Sequence, residues 1–214
     1  ALAALDCLKS TGIDPLEIDA ILGFGEEWKE YPLTTSACYI QDRIGAKNAW
    51  CLDVQNRCCT TVSAMKLAKD ILRSDEDCKT ILVAGGYRNC DFIDFTDSGV
   101  SFMFNLAAGG GAVILQKGYE KNQLLGTHIM SDGSVVHTCG SKVGGITDPV
   151  TAENIGEFGM LRLMDSPKMK GLLNTTSMPN WYHCIDEALR KSGMTRADIG
   201  YLDILHIKRS GHLG

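Results

Sequence analysis

The chain has 214 residues, enough for one sizeable core and too few for two full domains of average size. A formal charge of −5 gives no broad electrostatic footing for nucleic acid, and 44% hydrophobic against 22% charged residues is an ordinary soluble balance. No apolar run reaches membrane-spanning length, and none has the layout of a signal peptide.

Ala1 to Ser10 carries Leu2, Leu5 and Leu8 and predicts a helix that stops near Gly12. Ile18 to Phe24 is apolar and predicts a strand, and Gly25 to Glu30 predicts a polar loop. Thr34 or Thr35 is expected to cap a helix running to about Arg43. Ala49 to Val54 is short and mostly apolar, as an interior strand of an α/β sheet should be. From Thr60, the residues Val62, Met65, Ala68 and Leu72 recur at helical spacing. Cys58 and Cys59 therefore fall where a strand gives way to a helix. A thiol there meets unpaired N–H groups and the positive end of the helix dipole, both of which favour thiolate. A strand–turn–helix presenting a nucleophile is a recurring catalytic device. The bland alternative is a buried cysteine packing as a small hydrophobe.

Asp75-Glu76-Asp77 predicts a solvated turn, and Lys79 to Gly86 the next strand. Arg88 to Gly99 predicts a loop, an interface or pocket wall. Gly109-Gly110-Gly111 lacks the Lys-Ser/Thr of a phosphate loop, so a close approach of backbones before a strand from Ala112 to Gln116 is the preferred reading. Leu124 to Met130 predicts another strand. Gly140 to Pro167 is glycine-rich and then apolar, and is expected to be mobile and near a substrate channel. The nine cysteines include no CxxC pair and no His at zinc spacing, which predicts reduced, mostly buried thiols in a cytosolic protein and no metal site.

One internal repeat is visible. Leu8-Lys9-Ser10-Thr11-Gly12-Ile13 matches Leu189-Arg190-Lys191-Ser192-Gly193-Met194, and Glu17-Ile18 matches Asp198-Ile199 at the same separation. Both copies predict a helix, a Gly stop, a short turn and a strand, which suggests a duplicated α/β domain. The repeat sets His206 level with Gly25, at a strand end, and sends the counterpart of Cys58 past Gly214. The sequence starts inside an amphipathic run without Met and stops in a helix that Ser210 opens, so it reads as a fragment lacking both ends.

The step from Asp53 to Cys58 is followed by a helix and the strand Ile81-Leu82-Val83-Ala84-Gly85-Gly86. Around it lie Ala37-Cys38-Tyr39-Ile40-Gln41, Gly45-Ala46, Gly109-Gly110-Gly111-Ala112-Val113-Ile114-Leu115, Ser131-Asp132-Gly133-Ser134 and Leu205-His206. In this order and spacing the chain resembles the β-ketoacyl-ACP synthase III branch of the thiolase superfamily. The resemblance implies an α/β fold of thiolase-like duplicated αβαβα layers, with residues 1–175 a nearly complete first half and 176–214 the start of a truncated second half. It implies an acyltransferase that makes a C–C bond by Claisen condensation through an acyl-cysteine, in fatty acid biosynthesis. Cys58 would be the nucleophile and His206 a hydrogen-bond donor to the thioester oxygen, while the expected catalytic Asn lies beyond Gly214. Acyl-CoA is implied as substrate, acyl carrier protein as a partner, and a homodimer in which Leu33 reaches the partner's acyl pocket. No metal or redox cofactor is implied.

The chain departs from the family at Cys59-Thr60-Thr61, where a small residue and Gly are usual. It departs again at Ala107-Ala108-Gly109, where the usual run has an Asp, and at Ile207-Lys208-Arg209 in place of Gln-Ala-Asn. Glu26 stands where a hydroxymethylglutaryl-CoA synthase carries its general acid/base, an alternative reading of the chemistry. Glu26, Glu27 and Glu30 as a solvated loop is the plainer account. A non-catalytic thiolase-fold subunit is a further alternative, and it predicts a buried, unreactive Cys58.

Overall fold

The computed structural model describes residues 1–25 and 29–205. Two compact units emerge, one built from 1–88 and 108–124, the other from 89–107 and 125–214. The boundary expected at residue 175 falls within a long helix of the second unit.

The first unit is a doubly wound sheet. Helix α1 (Leu2–Thr11) leads to β1 (Ala20–Phe24), α2 (Ser36–Ile44), β2 (Trp50–Val54), α3 (Thr60–Ser74), β3 (Thr80–Arg88) and β4 (Ala108–Gln116). The strand order is β2-β1-β3-β4, with β1 parallel to both neighbours and β4 antiparallel to β3. Parallel neighbours need crossover helices, and these cover both faces. Ile21, Leu82 and Ala84 point to α1 and α2, packing with Leu8, Ala37, Ile40 and Ile44. Their alternates Ala20, Leu22, Ile81 and Val83 point to α3, packing with Ala64, Ala68 and Leu72. Two-sided burial is why β1 reads as an unbroken apolar run.

β2 corrects one expectation: it is an edge strand, and Trp50 and Leu52 are exposed. A short apolar run does not say how many neighbours the strand will have. The thiols follow suit. Cys78 is buried, but Cys38, Cys58, Cys59 are exposed and Cys7 and Cys51 only partly covered, so the expectation of mostly buried cysteines fails.

The glycine run belongs to β4, which starts at Ala108, earlier than expected. Gly85 pairs with Gly111 and Gly86 with Gly110. A Cβ at Gly85 would collide with the Phe24 carbonyl, and one at Gly86 would lie 2.8 Å from the Gly109 carbonyl oxygen. The glycines therefore serve backbone approach, as their sequence context suggested.

In the second unit, α4 (Ser166–Ser192) is the long element, opened by Asp165 accepting from the Lys168 N–H and by a Pro in its first turn. Segment 124–130 is not the expected strand. Gly126 lies so close to Ala188 and Ser192 of α4 that a side chain there would clash, and Lys191 Nζ donates to the Thr127 carbonyl at 3.0 Å. Helix packing and side-chain hydrogen bonds serve this backbone in place of a ladder. Segment 140–167 contains β5 (Cys139–Ser141) paired antiparallel with β6 (Leu161–Leu163). From β6, Arg162 reaches Asp94, Asp97 and Glu157 at 2.9–3.4 Å, tying the 88–99 loop to it. Among the described residues no helix is long and apolar enough to cross a membrane.

Candidate active site

Crevices at the carboxyl ends of parallel strands are where open α/β sheets place their chemistry, and in the first unit that end carries Cys58. The open groove of about 460 Å³ lined by Asp19, Thr80 and Gln116 lies at the opposite strand ends. Its Asp19 carboxylate is engaged by the Lys79 and Thr80 N–H groups at 2.7 and 2.8 Å. That groove is part of how β3 begins.

Asp53 sets the frame. It is level with Gly23 of β1, and its Oδ1 and Oδ2 accept from the N–H groups of Ala37 and Ser36, both at 2.8 Å. Helix α2 is thus capped by a carboxylate from β2. The hydroxyl of Thr35, at the N-cap position, makes no cap bond, so neither expected threonine performs that task. Lys29 Nζ pairs with Asp53 at 2.8 Å and also donates to the Thr34 carbonyl at 2.9 Å, which holds the loop before α2. Burial opposes ionisation of Asp53, but the Lys29 and two backbone hydrogen bonds outweigh it and hold its pKa below the usual value. Gly23 makes room: a Cβ there would sit 2.7 Å from Asp53 Oδ1 and 2.9 Å from the Ala37 nitrogen.

After Val54 the chain turns sharply. Arg57 has φ +49°, in the left-handed region, and residues Arg57–Cys59 form one 3₁₀ turn directly before α3. Thr60, the first residue of α3, is buried and staples this turn. Its hydroxyl accepts from the Asn56 N–H at 2.7 Å and donates to the Arg57 carbonyl at 2.6 Å. Asn56 Nδ2 donates to Ser63 Oγ at 2.7 Å. The departure from the small-residue-and-Gly pattern thus supplies a built-in clamp at this turn. Cys58 is exposed on it, at the N-terminal end of α3, where backbone N–H groups and the helix dipole favour negative charge on a sulfur.

Leu33 is fully exposed at 105% of its reference area, with φ +66°, at the tip of the loop that Lys29 and Asp53 secure. Glu26 and His206 lie outside the described residues. Among the described residues no group of three or more His, Cys, Asp or Glu could hold a metal ion. The linchpin roles of Asp53, Lys29 and Thr60 were not foreseen. The signal for Asp53 was there, as a lone acid in an apolar strand facing a helix whose first turn has none.

A sequence model of 3-oxoacyl-[acyl-carrier-protein (ACP)] synthase III matches residues 52–133, which takes in the Asp53–Cys58 turn, α3, β3 and β4. The β-ketoacyl-[acyl-carrier-protein] synthase III of Azobacteroides pseudotrichonymphae is 32% identical over 156 residues, 72% of this chain and 46% of the relative. That of Xanthomonas axonopodis pv. citri is 30% identical over 200 residues, 94% of this chain and 58% of the relative. Over most of its own length the chain is thus similar to the synthase III branch of the thiolase superfamily. The fold agrees: the crystal structure of 3-oxoacyl-[acyl-carrier-protein] synthase III from Aquifex aeolicus VF5 superposes with a TM-score of 0.67 at 22% identity, over 90% of this chain and 55% of that one. The synthase III-like chain therefore has the thiolase-type α/β fold. It spans about half the length of the curated relatives it matches.

Proposed function

We propose that this chain belongs to an acyl-thioester condensing enzyme of the 3-oxoacyl-ACP synthase III type and supplies its acyl-carrying cysteine. The observation that supports this reading is Cys58, exposed on a clamped 3₁₀ turn at the carboxyl end of β2 and the N-terminal end of α3. In the proposed reaction the Cys58 sulfur attacks the carbonyl carbon of an acyl-CoA, and the CoA thiolate leaves. A malonyl thioester on acyl carrier protein then loses CO₂, and the resulting carbanion attacks the acyl carbon while the Cys58 sulfur departs. The Cys58 N–H is proposed as one donor to the acyl oxyanion, and His206 as the donor to the enolate oxygen. The reaction runs on side chains and thioester substrates, without a resident cofactor.

Further parts of the proposal rest on narrower support. A homodimer through the β2 edge fits the exposure of Trp50 and Leu52, and Leu33, apolar and fully exposed, would be the tip that enters the partner's acyl pocket. Residues 176–214 would begin the second half. A cytoplasmic setting rests on the nine cysteines, with no disulfide between them. The non-catalytic alternative required a buried Cys58, and the exposed sulfur speaks against it. The test is the intact mass of the whole protein after incubation with acetyl-CoA and longer acyl-CoAs. One added acyl group, lost in Cys58→Ala and kept in Cys59→Ala, is the expected result. No acylation of folded protein by any chain length would overturn the reading.

A further inference from the structure

We propose that Cys38 and Cys51 form a redox modification site, in which an oxidant of the hydroperoxide class joins them in a disulfide bridging α2 to β2. The pair is brought together by packing that the rest of the unit requires. Cys51 is level with Ile21 of β1, whose side chain faces α1 and α2, so Cys51 faces α2 as well. Two residues on, Asp53 accepts from the Ala37 N–H at 2.8 Å, immediately before Cys38. Two residues back, the Ala49 carbonyl accepts from Gln41 Nε2 at 2.5 Å, three residues after Cys38. Helix and strand are thus pinned on both sides of the two sulfurs. Between the pins the two thiols lie close enough to act on one another.

The two thiols are unequal. Burial, then the neighbouring Cys38 sulfur, then Asp53 push the Cys51 thiol up to about 11, so the proton stays on Cys51. Cys38 is exposed and Cys51 partly covered, so an oxidant reaches Cys38 first. In the first step the Cys38 sulfur, as thiolate, attacks one peroxide oxygen. An S–O bond forms, the O–O bond breaks, and the departing hydroxide takes the proton that Cys38 gave up. In the second step the Cys51 sulfur attacks the Cys38 sulfur. The S–S bond forms, the S–O bond breaks, and the oxygen leaves as water with the Cys51 proton. With hydrogen peroxide, two thiols and one peroxide become one disulfide and two waters; with an organic hydroperoxide the first leaving group departs as the alcohol instead. Because β2 is the outermost strand, the bridge would tie that strand to the helix that follows the Leu33 loop. This site is separate from Cys58 and does not depend on the condensing reaction.

The test treats the folded protein with hydrogen peroxide, blocks remaining thiols with iodoacetamide, and digests with trypsin without reductant. Trypsin cuts at Arg43 and Lys47, between the two cysteines, so a bridge appears as two linked peptides. The expected result is a Cys38–Cys51 linked pair that dithiothreitol separates, with a rise in Tm of about 5 °C on oxidation. In Cys51→Ser the linked pair disappears and dimedone traps a sulfenic acid on Cys38. In Cys38→Ser, an exposed helix position, both the link and the Tm rise disappear. Cys38 carried to sulfinic acid, or linked elsewhere, while Cys51 of the unmutated protein remains alkylatable would overturn the proposal.

Discussion

The two copies of the internal repeat share their turns and part company at their strands. α1 ends on Gly12 with φ +71° and α4 on Gly193 with φ +69°. Each is followed by one 3₁₀ turn, Pro15–Glu17 or Arg196–Asp198, closed by the N–H of Ile18 or Ile199 at 3.3 Å. Asp14 caps the first of these through the Leu16 N–H, and Thr195 with Asp198 forms a reciprocal capping box in the second. Beyond the turn, Ala20–Phe24 is a fully buried strand with a parallel partner on each side. The equivalent stretch 201–205 is not a strand, and Tyr201, Leu202 and Leu205 are exposed. Ile21 is 0% exposed, and its counterpart Leu202 is 54% exposed. Turns are closed by residues within the segment, whereas a strand exists only where neighbours supply its hydrogen bonds and cover its faces.

The largest test of this contrast is a matched pair of truncations. Ile21→Ala should destabilise by about 3 kcal/mol in urea unfolding, since it opens a cavity between the sheet and α2. Leu202→Ala should cost less than about 0.5 kcal/mol. Equal costs would mean that the second stretch is packed like the first, and the comparison would fail.

Capping separates tertiary from local support. Asp53→Ala removes the side-chain cap bonds from the Ser36 and Ala37 N–H groups on the first turn of α2 and should cost about 1–2 kcal/mol. Because the folded-state pKa of Asp53 is lowered, its contribution is complete above the unfolded carboxyl value and is lost as pH falls through the folded one. The stability gap between the parent and Asp53→Ala should therefore hold at neutral pH and narrow below about pH 4. A gap that widens on acidification would contradict the assigned role. In the second repeat, Thr195→Ala breaks only a local box and should cost about 1 kcal/mol, seen as faster proteolysis after α4. The smallest difference is expected at the helix stops. Gly12→Ala and Gly193→Ala each force a Cβ into left-handed backbone and should cost about 1 kcal/mol apiece, within error of each other. A clear inequality there would show that the turns too depend on their surroundings.

Much of this was legible in the residues alone. Apolar runs and glycine stops announced α1, β1, α3 and β3, the repeat announced two equivalent turns, and the step from Asp53 to Cys58 marked the strand–turn–helix. Such features rest on interactions a few residues long, which composition and period encode directly. Only the tertiary structure decided that β2 lies at the edge and that Gly126 and Thr127 pack on α4 outside any strand. It alone made Asp53 the cap of α2, set Thr60 as the clamp behind Cys58, and laid Cys38 against Cys51. Each of these depends on residues far apart in sequence meeting across a packed layer, and no local pattern records which distant partner a group will find.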